Sequence, residues 1–131
     1  MEQGLQGRKV LVVDDDVDSA ELLAELLRMA GAETALAHDG PGALELLARF
    51  QPDLALVDIE LSGGTDGFAL ARAVGAQTSS TSSTSPPRLV AVTGHGEDWA
   101  RRESLGAGFA AHVVKPIDSH ALVALLVRVL G

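Results

Sequence analysis

The sequence predicts an α/β domain built on a parallel sheet with helices on both faces. Short apolar runs at residues 10–13, 54–57 and 89–92 suit strands that are buried on both sides. Stretches with apolar residues at helical spacing follow these runs, so strand and helix patterns alternate five times along the chain. Short connections between such elements favour parallel strands joined by right-handed crossovers.

The first half of the chain is predicted as strand, helix, strand and helix. Residues 1–7 form a loose leader before a strand over Lys9–Val13. Asp18 is the predicted N-cap of the first helix, because Glu21 stands at capping-box spacing from it. The apolar stripe of that helix comprises Leu22, Leu23, Leu26, Leu27 and Ala30. Gly31 ends the helix, a short strand over residues 34–37 follows, and Asp39 opens a second helix.

The second half continues the alternation with one unusual segment. A strand over residues 54–58 is followed by a glycine-rich loop and a short helix over residues 68–74. Residues 76–87 are rich in Ser and Thr and are predicted to form a flexible loop inside the domain. A strand over residues 88–93, a helix over residues 97–105 with Trp99, and a strand over residues 111–114 come next. Asp118 caps the last helix.

Bulk properties narrow the functional classes. A chain of 131 residues suits a single domain with a core of its own. The net charge of -8 argues against nucleic acid as the main partner. There is no cysteine and no apolar run long enough for a membrane helix, so we expect neither a thiolate metal site nor a membrane partner. The polar start of the chain has no signal-peptide core, which favours a cytoplasmic protein.

Polar residues stand at the carboxyl ends of the predicted strands. Asp14 and Asp15 follow the first strand, Asp58 ends the third, Thr93 ends the fourth, and Lys115 follows the fifth. In open α/β sheets these strand ends border the crevice that binds ligands. Two carboxylates about 4 Å apart repel by roughly 4 kcal/mol at an effective dielectric constant near 20. A divalent cation would relieve this repulsion, and Mg²⁺ prefers such oxygen ligands.

The ordered motifs identify a family. The sequence contains Val-Val-Asp-Asp, Asp-Leu-Ala-Leu-Val-Asp, Val-Thr-Gly-His-Gly and Val-Lys-Pro-Ile-Asp, and in this order it resembles the receiver domain of two-component response regulators. The resemblance implies a flavodoxin-like, doubly wound sheet of five parallel strands in the order 2-1-3-4-5. It also implies that Asp58 accepts a phosphoryl group, with Mg²⁺, from a sensor histidine kinase or a histidine phosphotransfer protein.

The resemblance assigns roles to the other site residues. Asp14, Asp15 and Asp58 would hold Mg²⁺ together with the backbone carbonyl of Glu60. Lys115 would pair with one phosphoryl oxygen and the Thr93 hydroxyl would donate to another. His112 stands three residues before Lys115, where receivers often have an aromatic switch residue. Two interpretations of His112 are open: a residue that moves with Thr93 in switching, and an exposed edge histidine with no switching role.

Further features of the family are expected here, with some departures. Receivers commonly have a cis peptide at the position of Lys115-Pro116. Ser62 replaces a usual proline, and the Asp66-Gly67 pair comes one residue late, so the resemblance does not predict the shape of the loop after Asp58, although the expected chemistry is unaffected. Phosphorylation would change a protein-interaction surface made by residues 97–105, the strand over residues 111–114 and the last helix. Because the chain ends at Gly131, we expect no output domain, whether the receiver stands alone or is excised from a hybrid kinase.

Two other functional classes are compatible with the same fold. A non-phosphorylated interaction module would lose an acidic residue or Lys115, and the sequence retains them all. A phosphatase of the haloacid dehalogenase type would need an aspartate two residues after its nucleophile, where this chain has Glu60. Because fold alone does not decide function, the site residues favour a signalling phosphoacceptor over an enzyme.

Overall fold

The computed structural model describes residues 4–59, 67–80, 87–93 and 108–131. Five parallel strands form one sheet in the order β2-β1-β3-β4-β5, as the resemblance implies. The strands are β1 (Lys9–Val13), β2 (Glu33–Ala37), β3 (Leu54–Asp58), β4 (Arg88–Thr93) and β5 (Ala111–Val114). The helices within the described ranges are α1 (Val17–Met29), α2 (Gly40–Phe50), α3 (Gly67–Ser80) and α4 (Ser119–Leu130).

Apolar side chains on each face of the sheet pack against a different pair of helices. Alternate residues of a strand point to opposite faces. One face, which includes Val12 and Leu56, packs against α1 and α4. The other face, which includes Val13 and Val57, packs against α2 and α3. The predicted doubly wound architecture is therefore confirmed for the described residues.

The first helix begins two residues earlier than predicted. Asp16, not Asp18, is the N-cap, and its side chain accepts hydrogen bonds from the backbone N–H groups of Asp18 and Ser19. Both aspartates are chemically suited to cap a helix. The spacing from Asp18 to Glu21 therefore predicted the wrong one. Gly31 does follow the end of the helix, with a φ of +102° that glycine adopts without strain.

The predicted apolar stripe of α1 is wrong at one position. Leu22 is 70% exposed, whereas Leu23 and Leu27 are buried in the core. Helical geometry turns each residue about 100° from the last, so Leu22 lies at the edge of the stripe and faces outward. This places a large apolar side chain on the surface of α1.

The predicted loose leader is also wrong for part of its length. Leu5 is fully buried, at 0% exposure, in the core beneath α1 and α4. Its N–H donates to the carbonyl of Ala30 at 3.0 Å, and its own carbonyl accepts from Arg8 N–H at 3.0 Å. Burial of a leucine and two backbone hydrogen bonds hold this segment against the end of α1.

The third helix is longer than the sequence predicts. It extends through Ser80, so residues 76–80 of the predicted flexible loop are helical. Adding a residue to an existing helix costs little compared with starting one, and Ala76 and Gln77 are good helix formers. Low hydrophobicity therefore does not end the helix at residue 74. Residues 81–86 lie outside the described ranges.

Two further expectations concern the helix over residues 97–105 and the membrane. The predicted helix over residues 97–105, with Trp99, lies outside the described residues. None of the helices in the described part of the chain is both long and apolar enough to cross a membrane.

Candidate functional site

Asp58 is held at the carboxyl edge of the sheet by the pairing of β3 with β4. It is the last residue of β3, is 6% exposed, and lies opposite Val92 of β4. The next residue, Ile59, donates its N–H to the carbonyl of Val92 at 3.1 Å. Asp58 is therefore a buried carboxylate at the end of a paired strand.

The start of α3 lies directly against this strand end. Gly67 donates its N–H to the carbonyl of Ile59 at 3.2 Å. A Cβ atom at residue 67 would come within 2.6 Å of the Ile59 Cα and 2.8 Å of the Asp58 carbonyl oxygen. Only glycine allows this close approach, so the residue type at position 67 helps to place the backbone around Asp58.

Two more carboxylates converge on Asp58 from the end of β1. One ligand oxygen each from Asp14, Asp15 and Asp58 can be chosen so that all three lie within 4.8 Å of one another. Asp14 is buried, at 5% exposure, and Asp15 is exposed. The Asp14 side chain accepts a hydrogen bond from Asp16 N–H at 3.0 Å. The start of α1 thereby orients the buried carboxylate.

Lys115 brings a positive charge to the same cluster. Its Nζ lies 3.3 Å from Oδ2 of Asp58 and 3.9 Å from Oδ2 of Asp14. Its backbone N–H donates to the carbonyl of Thr93 at 2.8 Å, which extends the pairing of β4 and β5 by one residue. The peptide between Lys115 and Pro116 is cis, as the resemblance predicts.

The balance of charge in the cluster is negative. Three carboxylates face one ammonium group among the described residues. Burial is the largest cause that raises the pKa of Asp14, and the nearby charges of Asp58 and Asp15 act in the same direction. The hydrogen bond from Asp16 and the charge of Lys115 oppose the rise without cancelling it. The ionised carboxylate of Asp14 is therefore held in an unfavourable environment.

This arrangement suits a small divalent cation. Three carboxylate oxygens within 4.8 Å of one another form a set of hard oxygen ligands of the type that Mg²⁺ prefers. The exposure of Asp15 leaves room for the water ligands that Mg²⁺ usually retains. Glu60, whose backbone carbonyl is another predicted ligand, lies outside the described residues.

Thr93 and His112 lie on the face of the sheet that packs against α2 and α3. Thr93 is 2% exposed and follows Leu89 and Ala91 along β4, both in the cluster that packs against α2 and α3. His112 is half-buried and lies opposite Ala91, so strand alternation places it on the face that carries Thr93. Asp58 instead continues the face of Leu56. The Thr93 hydroxyl and the Asp58 carboxylate therefore lie at the same carboxyl edge of the sheet but on opposite faces.

The sequence did not indicate a role for His38. Its side chain is exposed, as in an ordinary surface residue. However, its Nδ1 lies 3.0 Å from the backbone carbonyl oxygen of Asp14. The contact depends on the pairing of β1 with β2, which local sequence does not specify.

An apolar cavity of about 410 Å³ adjoins the carboxylates on the α1 side. Its walls include Leu23, Leu26 and Ile117, while Asp58 and Lys115 contribute polar groups to the lining. The exposed Leu22 also lines it. An apolar surface therefore lies next to the buried acidic cluster.

Comparison with known proteins agrees with the geometry. The family described as response regulator receiver domain matches residues 10–127. The phosphate regulon transcriptional regulatory protein PhoB of Pseudomonas aeruginosa is 32% identical over 124 residues, which cover 95% of this chain and 52% of PhoB. Sporulation initiation phosphotransferase F of Bacillus subtilis is 29% identical over 114 residues, 87% of this chain and 86% of that protein.

A solved structure gives the same result. The chemotaxis protein CheY4 of Vibrio cholerae superimposes with a TM-score of 0.82 at 28% identity, over 93% of this chain and 98% of that chain. The chain spans about half the length of the PhoB relative and nearly the whole of the CheY4 structure. It belongs to the response regulator receiver domain family of two-component systems.

Proposed function

We propose that Asp58 accepts a phosphoryl group from the phosphohistidine of a sensor histidine kinase or of a histidine phosphotransfer protein. The observation that carries this proposal is the convergence of three carboxylates within 4.8 Å beside the Lys115 ammonium, at the carboxyl edge of a parallel sheet. Of the three, Asp58 is the one at the end of a central strand and in the closer contact with Lys115.

The transfer would exchange one bond to phosphorus for another. A carboxylate oxygen of Asp58 forms the new bond, while the bond from phosphorus to the imidazole nitrogen of the donor breaks. The electron pair of that bond stays on the nitrogen. With a proton on its other ring nitrogen, the donor histidine is released as a neutral imidazole. Such reactions depend mainly on positioning and on stabilisation of charge.

The site residues divide the work between metal binding and phosphoryl binding. Asp14, Asp15 and Asp58 would hold Mg²⁺, whose charge offsets the repulsion between the carboxylates and the incoming phosphoryl oxygens. We propose the backbone carbonyl of Glu60 as a further ligand. Lys115 Nζ lies 3.3 Å from Oδ2 of Asp58, which supports the proposal that its ammonium would pair with a phosphoryl oxygen.

Thr93 would connect phosphorylation to the opposite face of the sheet. Its hydroxyl would donate to a phosphoryl oxygen once Asp58 is modified. His112 lies on the same face as Thr93, so a shift of Thr93 would change the packing of His112. We propose that this coupling alters a protein-interaction surface that includes β5 and α4.

The donor protein must bring its phosphohistidine next to Asp58. Leu22 is exposed and lines the apolar cavity beside the site, so it would contact an apolar side chain of the donor. Within this proposal the chain is a single cytoplasmic signalling domain rather than an enzyme, although it assists its own phosphotransfer and dephosphorylation. Its downstream partner would be a protein rather than nucleic acid or membrane.

The test is the intact mass of the protein after incubation with acetyl phosphate, with and without Mg²⁺. We expect one added phosphoryl group that depends on Mg²⁺. Asp58→Asn, which keeps the size of the side chain but removes the nucleophilic oxygen, should add none. An adduct of equal yield in Asp58→Asn would contradict the assignment of Asp58. If dephosphorylation is too fast for an adduct to be detected, the protein is titrated with beryllofluoride and the proton–nitrogen NMR spectrum is monitored. No perturbation near Asp58 would then favour the non-phosphorylated interaction module.

A further inference from the structure

We infer that His38 is a positioning residue for the metal site, acting through the backbone of the acidic pair. This inference rests on the proposed function, because it concerns how Asp15 is placed to bind Mg²⁺. His38 is not one of the three converging carboxylate residues, and the hydrogen bond of its ring goes to a main-chain oxygen of Asp14.

The end of β2 holds Asp14 by two hydrogen bonds. The N–H of Asp14 donates to the carbonyl of Ala37 at 3.0 Å, and His38 Nδ1 lies 3.0 Å from the carbonyl oxygen of Asp14. A carbonyl oxygen can only accept, so the Nδ1–H of His38 is the donor. Both main-chain polar groups of Asp14 are therefore bonded to consecutive residues of one strand end.

The second bond determines the orientation of the next peptide. The carbonyl of Asp14 belongs to the planar peptide unit that ends at the Cα of Asp15. A hydrogen bond that fixes this carbonyl also fixes the direction of the N–Cα bond of Asp15, and so limits the directions in which the Asp15 side chain can leave the backbone. Asp15 is exposed, so packing does little to hold it, whereas the Asp14 carboxylate has its own bond from Asp16 N–H. Of the two aspartates, Asp15 should therefore depend more on His38 for the orientation of its side chain.

Loss of the His38 donor should weaken Mg²⁺ binding. Groups that orient metal ligands typically contribute 10- to 100-fold in metal affinity. His38 is exposed, and water can replace part of its hydrogen bond, so we expect the lower end, about tenfold. The rest of the ligand set remains, so binding should weaken and not disappear.

Two substitutions separate the hydrogen bond from the bulk of the ring. His38→Leu removes the donor and keeps an apolar side chain of moderate size. His38→Asn places an amide N–H close to the position of Nδ1, so it should restore most of the lost affinity. Calorimetric titration with MgCl₂ measures the dissociation constant of each protein. If His38→Leu fails to fold, His38→Gln replaces it, because its amide lies one carbon further out than that of Asn.

A kinetic experiment distinguishes positioning from a general structural role. In His38→Leu, the Mg²⁺ concentration that gives the half-maximal rate of phosphorylation by acetyl phosphate should rise about as much as the dissociation constant. The rate at saturating Mg²⁺ should recover towards that of the wild type. The free energy of unfolding without Mg²⁺ should change little, since an exposed side chain is altered.

The outcomes for the two proposals differ. Wild-type affinity for Mg²⁺ in His38→Leu, or equal weakening in His38→Leu and His38→Asn, would overturn the role of His38. The proposed function survives that result provided that the wild type binds Mg²⁺ and that Asp58→Asn weakens the binding. If the wild type binds no Mg²⁺, both proposals fail together.

Discussion

The charged groups at the two ends of the sheet are arranged differently: they are paired at the amino end, whereas like charges converge at the carboxyl end. At the amino end, the backbone N–H of Lys9 donates to Oδ2 of Asp53 at 2.8 Å, and Lys9 Nζ lies 3.4 Å from the carbonyl oxygen of Phe50. The same ammonium lies 5.4 Å from the centre of the Phe50 ring. At the carboxyl end, three carboxylates converge on one ammonium.

The difference separates stability from function within one small domain. The amino end contains paired groups and the buried Leu5, so its residues should contribute to folding and not to phosphorylation. The carboxyl end keeps like charges together, which costs stability unless a bound cation offsets their repulsion. Substitutions at the two ends should therefore have opposite effects on stability.

The largest effect on stability is expected from Leu5→Ala. Removal of a fully buried leucine side chain typically costs about 2–5 kcal/mol of the free energy of unfolding, and Leu5 has 0% exposure. Urea denaturation measures this loss. Leu22→Ala is the matched control, because Leu22 is 70% exposed and should change stability by less than about 0.5 kcal/mol. Equal losses in the two variants would contradict the burial of the amino-terminal segment.

Asp14→Asn should change the free energy of unfolding in the opposite direction to Leu5→Ala. The substitution removes one of the converging charges, so without Mg²⁺ it should raise the free energy of unfolding. The repulsion of two unit charges about 4 Å apart is roughly 4 kcal/mol at an effective dielectric constant near 20. The variant also loses the attraction between Asp14 and Lys115, so we expect a smaller net gain, on the order of 1 kcal/mol. The same variant should bind Mg²⁺ at least tenfold more weakly, by calorimetry. A less stable variant would show that the hydrogen bond from Asp16 to Asp14 outweighs the repulsion.

The stabilisation by Asp14→Asn should depend on pH. Burial raises the pKa of Asp14 above its ordinary value of 3.8. Above this raised pKa the ionised carboxylate costs stability. As the pH falls through it, the folded protein takes up the proton more readily than the unfolded chain, and the cost disappears. The difference between variant and wild type should thus be full above the raised pKa and shrink as the pH falls through it towards 3.8. A difference that grew on acidification would contradict the raised pKa.

The smallest effect is expected from Lys9→Met at the amino end. It removes the contact of the ammonium with the Phe50 ring, which at exposed sites contributes about 0.5–1 kcal/mol. The variant should lose about that much in urea denaturation and keep its wild-type rate of phosphorylation. Lys9→Arg retains a cation over the ring and serves as the control. A slower phosphorylation of Lys9→Met would contradict the separation of the two ends.

The sequence was sufficient to predict the central elements of the fold and the identity of the acidic cluster. Asp58 ends an apolar run whose pattern suits a strand buried on both sides, and Asp14, Asp15 and Lys115 also stand at strand ends. Because parallel strands align their carboxyl ends at one edge, these residues converge once the strand order is known. The strand order itself came from the resemblance.

Other features could not be predicted because they depend on tertiary contacts. Leu5 is a single apolar residue in a polar segment, so no periodic pattern marks its burial. Asp16 and Asp18 are equally suited to cap a helix, and the structure selects the first. The contact of His38 with the Asp14 carbonyl requires the pairing of β1 with β2. Each of these depends on which segments become neighbours, and local sequence does not specify this.

The most direct test of the central claim is to locate the phosphoryl group on the chain. After incubation with acetyl phosphate and Mg²⁺, borohydride reduces an aspartyl phosphate to homoserine, and tandem mass spectrometry of peptides identifies the reduced position. We predict homoserine at residue 58, and none at residues 14 and 15, whose carboxylates share the cluster. Homoserine at residue 14 or 15, with Asp58 unmodified, would contradict the proposed acceptor.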